Sequence, residues 1–193
     1  MRSSGLEHLF AGWRIGQPRG VGGDGRPHVD PEIPDGLSLF EAIEQSGRPD
    51  EETYILRREA NSFAILNVFP YTTGHVLVLP TRAVAGIDDL DDETYVELWL
   101  LVRDVARAVT AAFAPDGLNI GVNEGTAGGG SIPDHLHVHV VPRWSADTNF
   151  MTSVANTRVL PLTLVETWNA LRDSWPGPGE PDAPGRPGPT KGW

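Results

Sequence analysis

Three histidines, His135, His137 and His139, alternate with apolar residues in the stretch His-Leu-His-Val-His-Val-Val. Successive side chains of a β-strand point to opposite faces of the sheet, so the three imidazoles would share one face and the apolar residues the other. Imidazole titrates near neutral pH, attacks electrophiles and binds metals. The stretch therefore predicts a strand with one packed face and one chemically active face.

Two other interpretations fit the same spacing. Strand histidines often have only a structural role, although such a strand gains nothing from three histidines on one face. Three imidazoles can also converge on one zinc ion, as they do in carbonic anhydrase. The zinc interpretation stays open on these residues alone, and it predicts stoichiometric metal and a loss of activity with a chelator.

A glycine-rich segment over residues 125–131 directly precedes the histidines and contains Gly130 and Ser131. Repeated Gly with Ser and Thr predicts a loop with exposed backbone N–H groups. Such loops can bind phosphate oxygens. The loop and the histidines together indicate an anion held against the imidazoles.

At these residues the chain resembles the histidine-triad (HIT) superfamily, whose signature is three alternating histidines after an Asn-x-Gly and a glycine-rich loop. Residues 62–82 look like the family's strand, Pro-containing turn, Gly-His and second strand, and the resemblance covers about residues 53–175. The Val-Pro-Arg-Trp ending, the Gly-Gly-Ser loop, residues 147–150 and the stretch Leu6–Arg14 are most similar to actinobacterial diadenosine tetraphosphate phosphorylases.

The three histidines suit nucleotidyl transfer, because a neutral imidazole nitrogen can attack the phosphorus of a phosphoric anhydride. We assign His137 as the nucleophile, since imidazoles on both sides can surround its nucleotidyl product, and the resemblance implies the same role. His135 and His139 would hydrogen-bond the α-phosphate oxygens or orient the nucleophile. Backbone N–H groups near Gly130 and Ser131 would stabilise the developing charge.

The resemblance implies further substrate contacts. Asn67 matches a ribose-binding position, and its alternative is an ordinary polar residue at a strand end. His75 matches a histidine that lies near the triad, and its alternative is a histidine that merely begins a strand after Gly74. Asn123 and Ser131 match phosphate-contacting positions.

Ser131 departs from the general pattern, because many HIT hydrolases have Gln at this position. A shorter side chain leaves room beside the scissile phosphorus, which could admit inorganic phosphate instead of water. Arg143 could bind distal phosphates through two hydrogen bonds or be a solvated charge. Trp144 could line the leaving-group side or be a packing aromatic. Neither Arg143 nor Trp144 decides between phosphorolysis and hydrolysis.

The chain has no cysteine, which excludes disulfides and zinc–thiolate sites. Many HIT proteins carry a Cys-x-x-Cys zinc pair near the amino terminus, and the matching place, residues 38–43, has Ser and Glu here. We expect no metal site and no obligatory cofactor. Magnesium would enter through the phosphates of the substrate, because the sequence offers no protein cage for it.

The formal net charge of −11 disfavours nucleic acid and anionic membranes as partners. A local field can still hold a small nucleotide. The sequence contains no signal-peptide pattern and no long apolar span, so we expect a cytoplasmic protein.

Composition divides the chain into three parts. Residues 1–36 comprise a short amphipathic helix followed by a flexible segment rich in Gly and Pro, and residues 37–175 form the HIT domain. Residues 176–193 read as a disordered tail rich in Pro and Gly. The amino-terminal helix is predicted from the spacing of Leu6, Leu9, Phe10 and Trp13.

Hydrophobic patterning predicts five strands and two helices within the central part. The strands are expected at 54–58, 62–68, 75–80, 118–123 and 136–142. A long helix over 91–113 begins in the acidic stretch 88–93, and its apolar face is Val96, Trp99, Leu100, Val102, Val105, Ala106, Val109 and Phe113. The second helix, 163–175, carries Leu164, Trp168, Leu171 and Trp175.

These elements predict an α+β fold: a five-stranded antiparallel sheet with a long covering helix and a carboxy-terminal helix. The resemblance implies the HIT fold. It also implies a homodimer or a larger homo-oligomer, built through the helix and an edge strand.

The function predicted first is nucleotidyl transfer from dinucleoside polyphosphates through a nucleotidyl-histidine, with phosphorolysis of diadenosine tetraphosphate to ATP and ADP. The partners would be a nucleotide substrate and inorganic phosphate. One alternative is a HIT-type hydrolase of dinucleoside polyphosphates, nucleoside phosphoramidates or adenylates. Another is a nucleotide-binding protein without enzymatic activity, which the presence of all three histidines disfavours.

Overall fold

The computed structural model describes residues 33–128, 132–145, 147 and 160–177. Gly130, Ser131, the predicted amino-terminal helix and nearly all of the predicted tail lie outside the described residues. The three-part division of the chain therefore stays a prediction. Within the described ranges, no helix is long and apolar enough to cross a membrane.

Five strands form one sheet in the order β1-β2-β3-β5-β4, and every neighbouring pair is antiparallel. Their bounds are β1 Ile55–Arg58, β2 Ser62–Leu66, β3 Val76–Pro80, β4 Gly117–Val122 and β5 Val138–Arg143. β2 and β3 are buried along their whole length, in keeping with their runs of Val, Ile, Leu and Phe. The predicted α+β fold with a five-stranded antiparallel sheet is confirmed.

In the described part of the chain, the α-helices beside the sheet are α1 Leu39–Glu44, α2 Asp50–Thr53, α3 Asp92–Phe113 and α4 Leu164–Asp173. α3 begins where the acidic stretch predicts, because the side chain of Asp91 accepts the N–H of Thr94 and caps the helix. α4 begins after Thr163, whose side chain caps it in the same way. α1 and α2 are only six and four residues long, and neither was predicted from the sequence.

α3 and α4 cover one face of the sheet and bury the larger hydrophobic core. Part of the predicted α3 face is wrong: Val96 and Leu100 are 56% and 46% exposed. Leu98 and Leu101 are buried in their place. A step of two residues turns a helical side chain by about 200°, so Val96 and Leu100 both point away from the face that carries Leu98.

The opposite face carries a smaller core, to which α1 contributes Phe40. Leu77 of β3 and Gly121 of β4 are the direct partners of His139 in β5, so this face also carries His139. A Cβ atom placed on Gly121 would meet nothing within 4 Å. The sheet is therefore open beside His139, where a substrate can approach.

β5 begins at Val138, two residues later than predicted. The backbone N–H of Leu136 donates to the carbonyl of Val84, at 2.7 Å, in the segment that follows β3. His135 and His137 consequently precede the strand, and only His139 of the three lies within it. The prediction of three imidazoles in a row on one strand face is corrected accordingly.

Candidate active site

His137 is 6% exposed, and its Nδ1 lies 2.8 Å from the backbone oxygen of His135. A carbonyl oxygen can only accept a hydrogen bond, so Nδ1 of His137 carries the proton. In the neutral imidazole, the lone pair is then on Nε2. This nitrogen has the electronic form that a nucleophile requires.

His135 is fully buried, and both of its ring nitrogens are hydrogen-bonded to protein groups. Nε2 donates to the carbonyl of Pro80 at 2.8 Å, and Nδ1 accepts the hydroxyl of Ser38 at 2.7 Å. Burial lowers the pKa of His135, and it outweighs the Pro80 carbonyl and the Glu41 carboxylate, which raise it. Of the two roles predicted for His135, this geometry fits orientation of the nucleophile and not contact with a phosphate.

His139 stands beside His137, with ring centroids 4.9 Å apart. Its Nδ1 lies 2.9 Å from Nε2 of His75, and the backbone N–H of Tyr71 donates to Nδ1 of His75 at 3.1 Å. Neutral His75 therefore carries its proton on Nε2 and donates it to His139, whose own proton is on Nε2. In this tautomer, His139 can donate a proton beside the ring of His137.

Two asparagines lie around this histidine pair. The amide nitrogen of Asn123 is 3.2 Å from Nε2 of His139. Because two donors cannot pair, the amide of Asn123 must turn its oxygen towards Nε2 when this nitrogen carries the proton. The amide nitrogen of Asn67 is 3.3 Å from Nδ1 of His75, while its oxygen accepts the N–H of Phe69 at 2.9 Å. The structure therefore brings Asn67, His75 and Asn123 to the triad, as the resemblance implies.

Tyr71 also belongs to the site, although the sequence did not predict it as a site residue. Its ring stacks on His139 at 5.9 Å with an interplanar angle of 16°, and it lies 4.6 Å from the ring of His75. The next residue, Thr72, donates its hydroxyl to the carbonyl of Pro142 at 2.9 Å and ties this turn to β5. An aromatic residue four positions before the Gly-His histidine was the available signal.

Arg143 and Trp144 lie at the far end of β5. The guanidinium of Arg143 binds both carboxylate oxygens of Asp147 and the side-chain oxygen of Asn119, at 2.7 Å for Asn119. These bonds to Asp147 raise the pKa of Arg143. The N–H of Trp144 also donates to Asp147. The structure thus pairs the charge of Arg143 within its own turn, about 13 Å along the strand from His139.

The HIT domain family model matches residues 48–146, which is half of the chain. The chain belongs to the HIT domain family.

Two relatives of this HIT protein carry enzyme names. It is 40% identical over 126 residues to the AP-4-A phosphorylase of Mycobacterium tuberculosis strain H37Rv, covering 65% of each chain. It is 38% identical over 93 residues to the asymmetrical bis(5'-nucleosyl)-tetraphosphatase of Schizosaccharomyces pombe, covering 48% of this chain and 50% of that one. The HIT protein spans less than two thirds of the length of either relative.

Solved HIT structures share the fold. A Zn-bound histidine triad family protein from Mycobacterium smegmatis is 30% identical, with a TM-score of 0.57, over 70% of this chain and 91% of its own. A hypothetical histidine triad nucleotide-binding protein from Sulfolobus tokodaii is 26% identical, with a TM-score of 0.58, over 71% and 91%.

Zinc does not fit the described part of this HIT protein. Those residues contain no group of three His, Cys, Asp or Glu side chains that could hold a metal ion. His135 already uses both ring nitrogens, one on the hydroxyl of Ser38 and one on the carbonyl of Pro80. The three histidines therefore do not converge as a tripod of ligands.

α1 forms a wall behind the HIT triad. Phe40 packs edge-on against His135 at 5.6 Å and lies 5.9 Å from the ring of His137. Ser38 and Glu41 cap the start of the helix reciprocally. The Ser-x-x-Glu pattern is the sequence signature of such a capping box, and this signal could have placed the helix.

Proposed function

We propose that the protein transfers a nucleotidyl group from a dinucleoside polyphosphate through His137, with inorganic phosphate as the acceptor. Its substrate would be diadenosine tetraphosphate and its products ATP and ADP. One observation carries the proposal: the Nδ1–H of His137 is bound to the carbonyl of His135, so Nε2 is left as the nucleophile beside the proton donor His139.

In the first step, Nε2 of His137 attacks the α-phosphorus. A P–N bond forms, the P–O bond to the remaining polyphosphate breaks, and the leaving oxygen of ATP takes the proton from Nε2 of His139. The carbonyl of His135 stabilises the positive charge that develops on the His137 ring, because it accepts the Nδ1 proton.

In the second step, a phosphate oxygen attacks the same phosphorus from the side that ATP has vacated. The P–N bond breaks, ADP is released, and the proton of the attacking phosphate passes to Nε2 of His139. Both steps use His139, which is the general acid of the first half-reaction and the general base of the second. His137 returns to its starting tautomer.

The names of the relatives support two versions of this chemistry. The Mycobacterium tuberculosis relative is named AP-4-A phosphorylase, which favours phosphate as acceptor. The Schizosaccharomyces pombe relative is named a tetraphosphatase, and a Dictyostelium discoideum relative, 36% identical over 86 residues, is named bis(5'-adenosyl)-triphosphatase. Hydrolysis, with water in place of phosphate, is therefore the second candidate. Ser131, whose short side chain was predicted to favour phosphate over water, lies outside the described residues.

We also infer that the protein works as a homodimer. Large apolar side chains are exposed along α3 and on β4, an edge strand of the sheet: Tyr95, Val96, Leu100 and Ile120. A second copy that covers them would remove this apolar surface from water. Magnesium would act through the phosphates of the substrate, and the cytoplasmic location stays a prediction.

The deciding experiment incubates the purified protein with diadenosine tetraphosphate, with and without ³²P-labelled phosphate. Phosphorolysis places the label in the β-phosphate of ADP, makes equal amounts of ATP, and requires phosphate. Formation of AMP and ATP without phosphate would establish the hydrolase instead. No turnover in either condition would leave a nucleotide-binding role. The matched control is His137→Gln, which should bind nucleotide and form no product.

A further inference from the structure

Ser38 is a residue at the amino terminus of α1 whose hydroxyl group reaches the catalytic triad. Its oxygen lies 2.7 Å from Nδ1 of His135. Because Nε2 of His135 donates to the carbonyl of Pro80, Nδ1 holds a lone pair and must accept. Ser38 therefore gives its single proton to His135, while its oxygen accepts the N–H of Glu41 at 3.1 Å.

Glu41 fastens this helix start to the segment that follows β3. Its carboxylate accepts the N–H of Ser38 at 2.8 Å and the N–H of Ala83 at 2.9 Å. Burial raises the pKa of Glu41, but these backbone bonds lower it by more, so the carboxylate is ionised at neutral pH. Ser38 is thus held at both its backbone and its side chain when it meets His135.

The backbone around His135 needs such support, because His135 and His137 precede β5. The peptide group between His135 and Leu136 lies outside the sheet ladder: its N–H donates to the carbonyl of Val84, and its carbonyl accepts the Nδ1 proton of His137. The two hydrogen bonds of the buried His135 ring, to Ser38 and Pro80, hold the side-chain end of the same residue.

We propose that Ser38 is a positioning residue for the nucleophile: its hydroxyl fixes the ring of His135, whose carbonyl then aims Nε2 of His137. This inference rests on the proposed nucleotidyl transfer, because the kcat and KM of that reaction are the quantities that test it. Misplacement of a reacting group by about 1 Å can slow a reaction by about a hundredfold. Loss of the Ser38 hydroxyl is therefore expected to lower kcat by about tenfold to a hundredfold and to leave KM within about threefold.

Three substitutions separate the hydroxyl from the helix cap. Ser38→Ala removes both the proton donor and the cap. Ser38→Gly removes the proton donor but leaves a residue that is well tolerated at a helix N-cap. Ser38→Thr keeps both the hydroxyl and the helix cap, and its kcat should stay within about threefold of that of the starting protein. The matched control is Thr163→Ala, which removes an equivalent capping box from α4, away from the histidines, and should keep kcat.

The inference predicts that Ser38→Ala and Ser38→Gly both lose kcat. If Ser38→Gly keeps kcat, the cap and not the hydroxyl matters, and the inference is overturned. If Ser38→Ala keeps kcat, the inference is overturned as well. A fall in kcat for Thr163→Ala would show that any loss of helix capping slows the enzyme, which also contradicts it.

A spectroscopic readout separates this inference from the proposed function. Long-range ¹H–¹⁵N spectra of the imidazoles should show His135 protonated on Nε2 and His137 on Nδ1. Ser38→Ala should shift Nδ1 of His135 and average the two nitrogens of His137, and Thr163→Ala should change neither. If diadenosine tetraphosphate is not turned over, the proposed function fails while the spectra still decide. Unchanged His137 signals in Ser38→Ala would refute the positioning role.

Discussion

Nε2 of His75 lies 2.9 Å from Nδ1 of His139, and the direction of this hydrogen bond is fixed by a backbone group. The N–H of Tyr71 can only donate, so Nδ1 of His75 must accept and Nε2 must carry the proton. The proton of His139 is then on Nε2, the nitrogen that faces the amide of Asn123. In the proposed reaction, the pair acts as an oriented general acid.

The first prediction concerns this orientation. His75→Leu removes the donor to Nδ1 of His139 and should lower kcat for diadenosine tetraphosphate by about 10² to 10³, since general acid catalysis contributes in this range. With a p-nitrophenyl ester of AMP, whose leaving group needs no proton, the loss should be below about tenfold. Steady-state rates on the two substrates make the comparison.

His75→Gln serves as the control, because its amide nitrogen can donate to His139 and should recover part of the rate. Equal losses on both substrates in His75→Leu would contradict the assignment, since they would place His75 in the architecture of the site and not in proton donation.

The second prediction concerns pH. Burial lowers the pKa of His135 below its ordinary value of 6.5, so the folded state binds fewer protons than the unfolded chain as pH falls below 6.5. The free energy of unfolding then decreases on acidification through this window and is fully retained above it. Between pH 7.5 and 5.5 the loss from His135 is at most about 1.4 kcal/mol.

Urea unfolding at the two pH values measures this loss. His135→Asn removes the titrating group and should flatten the dependence, whatever its own stability. An identical pH slope in the variant would show that His135 does not contribute. The pKa of Glu41 lies below 4.5, and so its contribution disappears only at a lower pH.

The third prediction concerns Gly74, which has φ +82°. A Cβ atom at this position would lie 2.7 Å from the Phe113 side chain and 3.2 Å from Pro142. Gly74→Ala combines a strained backbone with a clash, and we expect a loss of about 2–4 kcal/mol in the free energy of unfolding. Gly117→Ala is the control, because a Cβ there meets nothing within 4 Å. Similar losses in both variants, in thermal or urea melts, would refute this account.

The fourth prediction concerns the exposed apolar side chains of α3 and β4. Leu100→Lys and Ile120→Glu should each shift a dimer towards monomer in light scattering, because burial of a charge at an apolar interface is costly. Arg57→Glu is the control, since it reverses a charge on β1, the opposite edge strand. A monomeric starting protein, or a dimer unaffected by both substitutions, would contradict the inferred interface.

The sequence was sufficient for those parts of the fold that depend on local patterns. Asp91 marked the start of α3, and runs or alternations of apolar residues located all five strands. Other features of the fold depend on contacts between residues that are distant in the chain. The carbonyl of Val84 binds Leu136 and delays the start of β5, and a periodicity of two cannot show this. α1 is too short for a helical pattern to be visible.

The site shows the same division. The Gly-His motif and the alternating histidines indicated His75, His137 and His139. The pairing of Arg143 with Asp147 could not be predicted, because an arginine before a turn is equally compatible with a substrate contact. The role of Ser38 was hidden as well, since 97 residues separate it from His135.

The proton arrangement of the His75–His139 pair depends on the main-chain N–H of Tyr71. Every coded residue except proline supplies this group, so the side chain at position 71 can change without altering which nitrogen of His75 is protonated. Tyr71→Pro is the one coded substitution that deletes the donor. The protonation pattern of the His75–His139 pair should therefore survive almost every substitution at position 71.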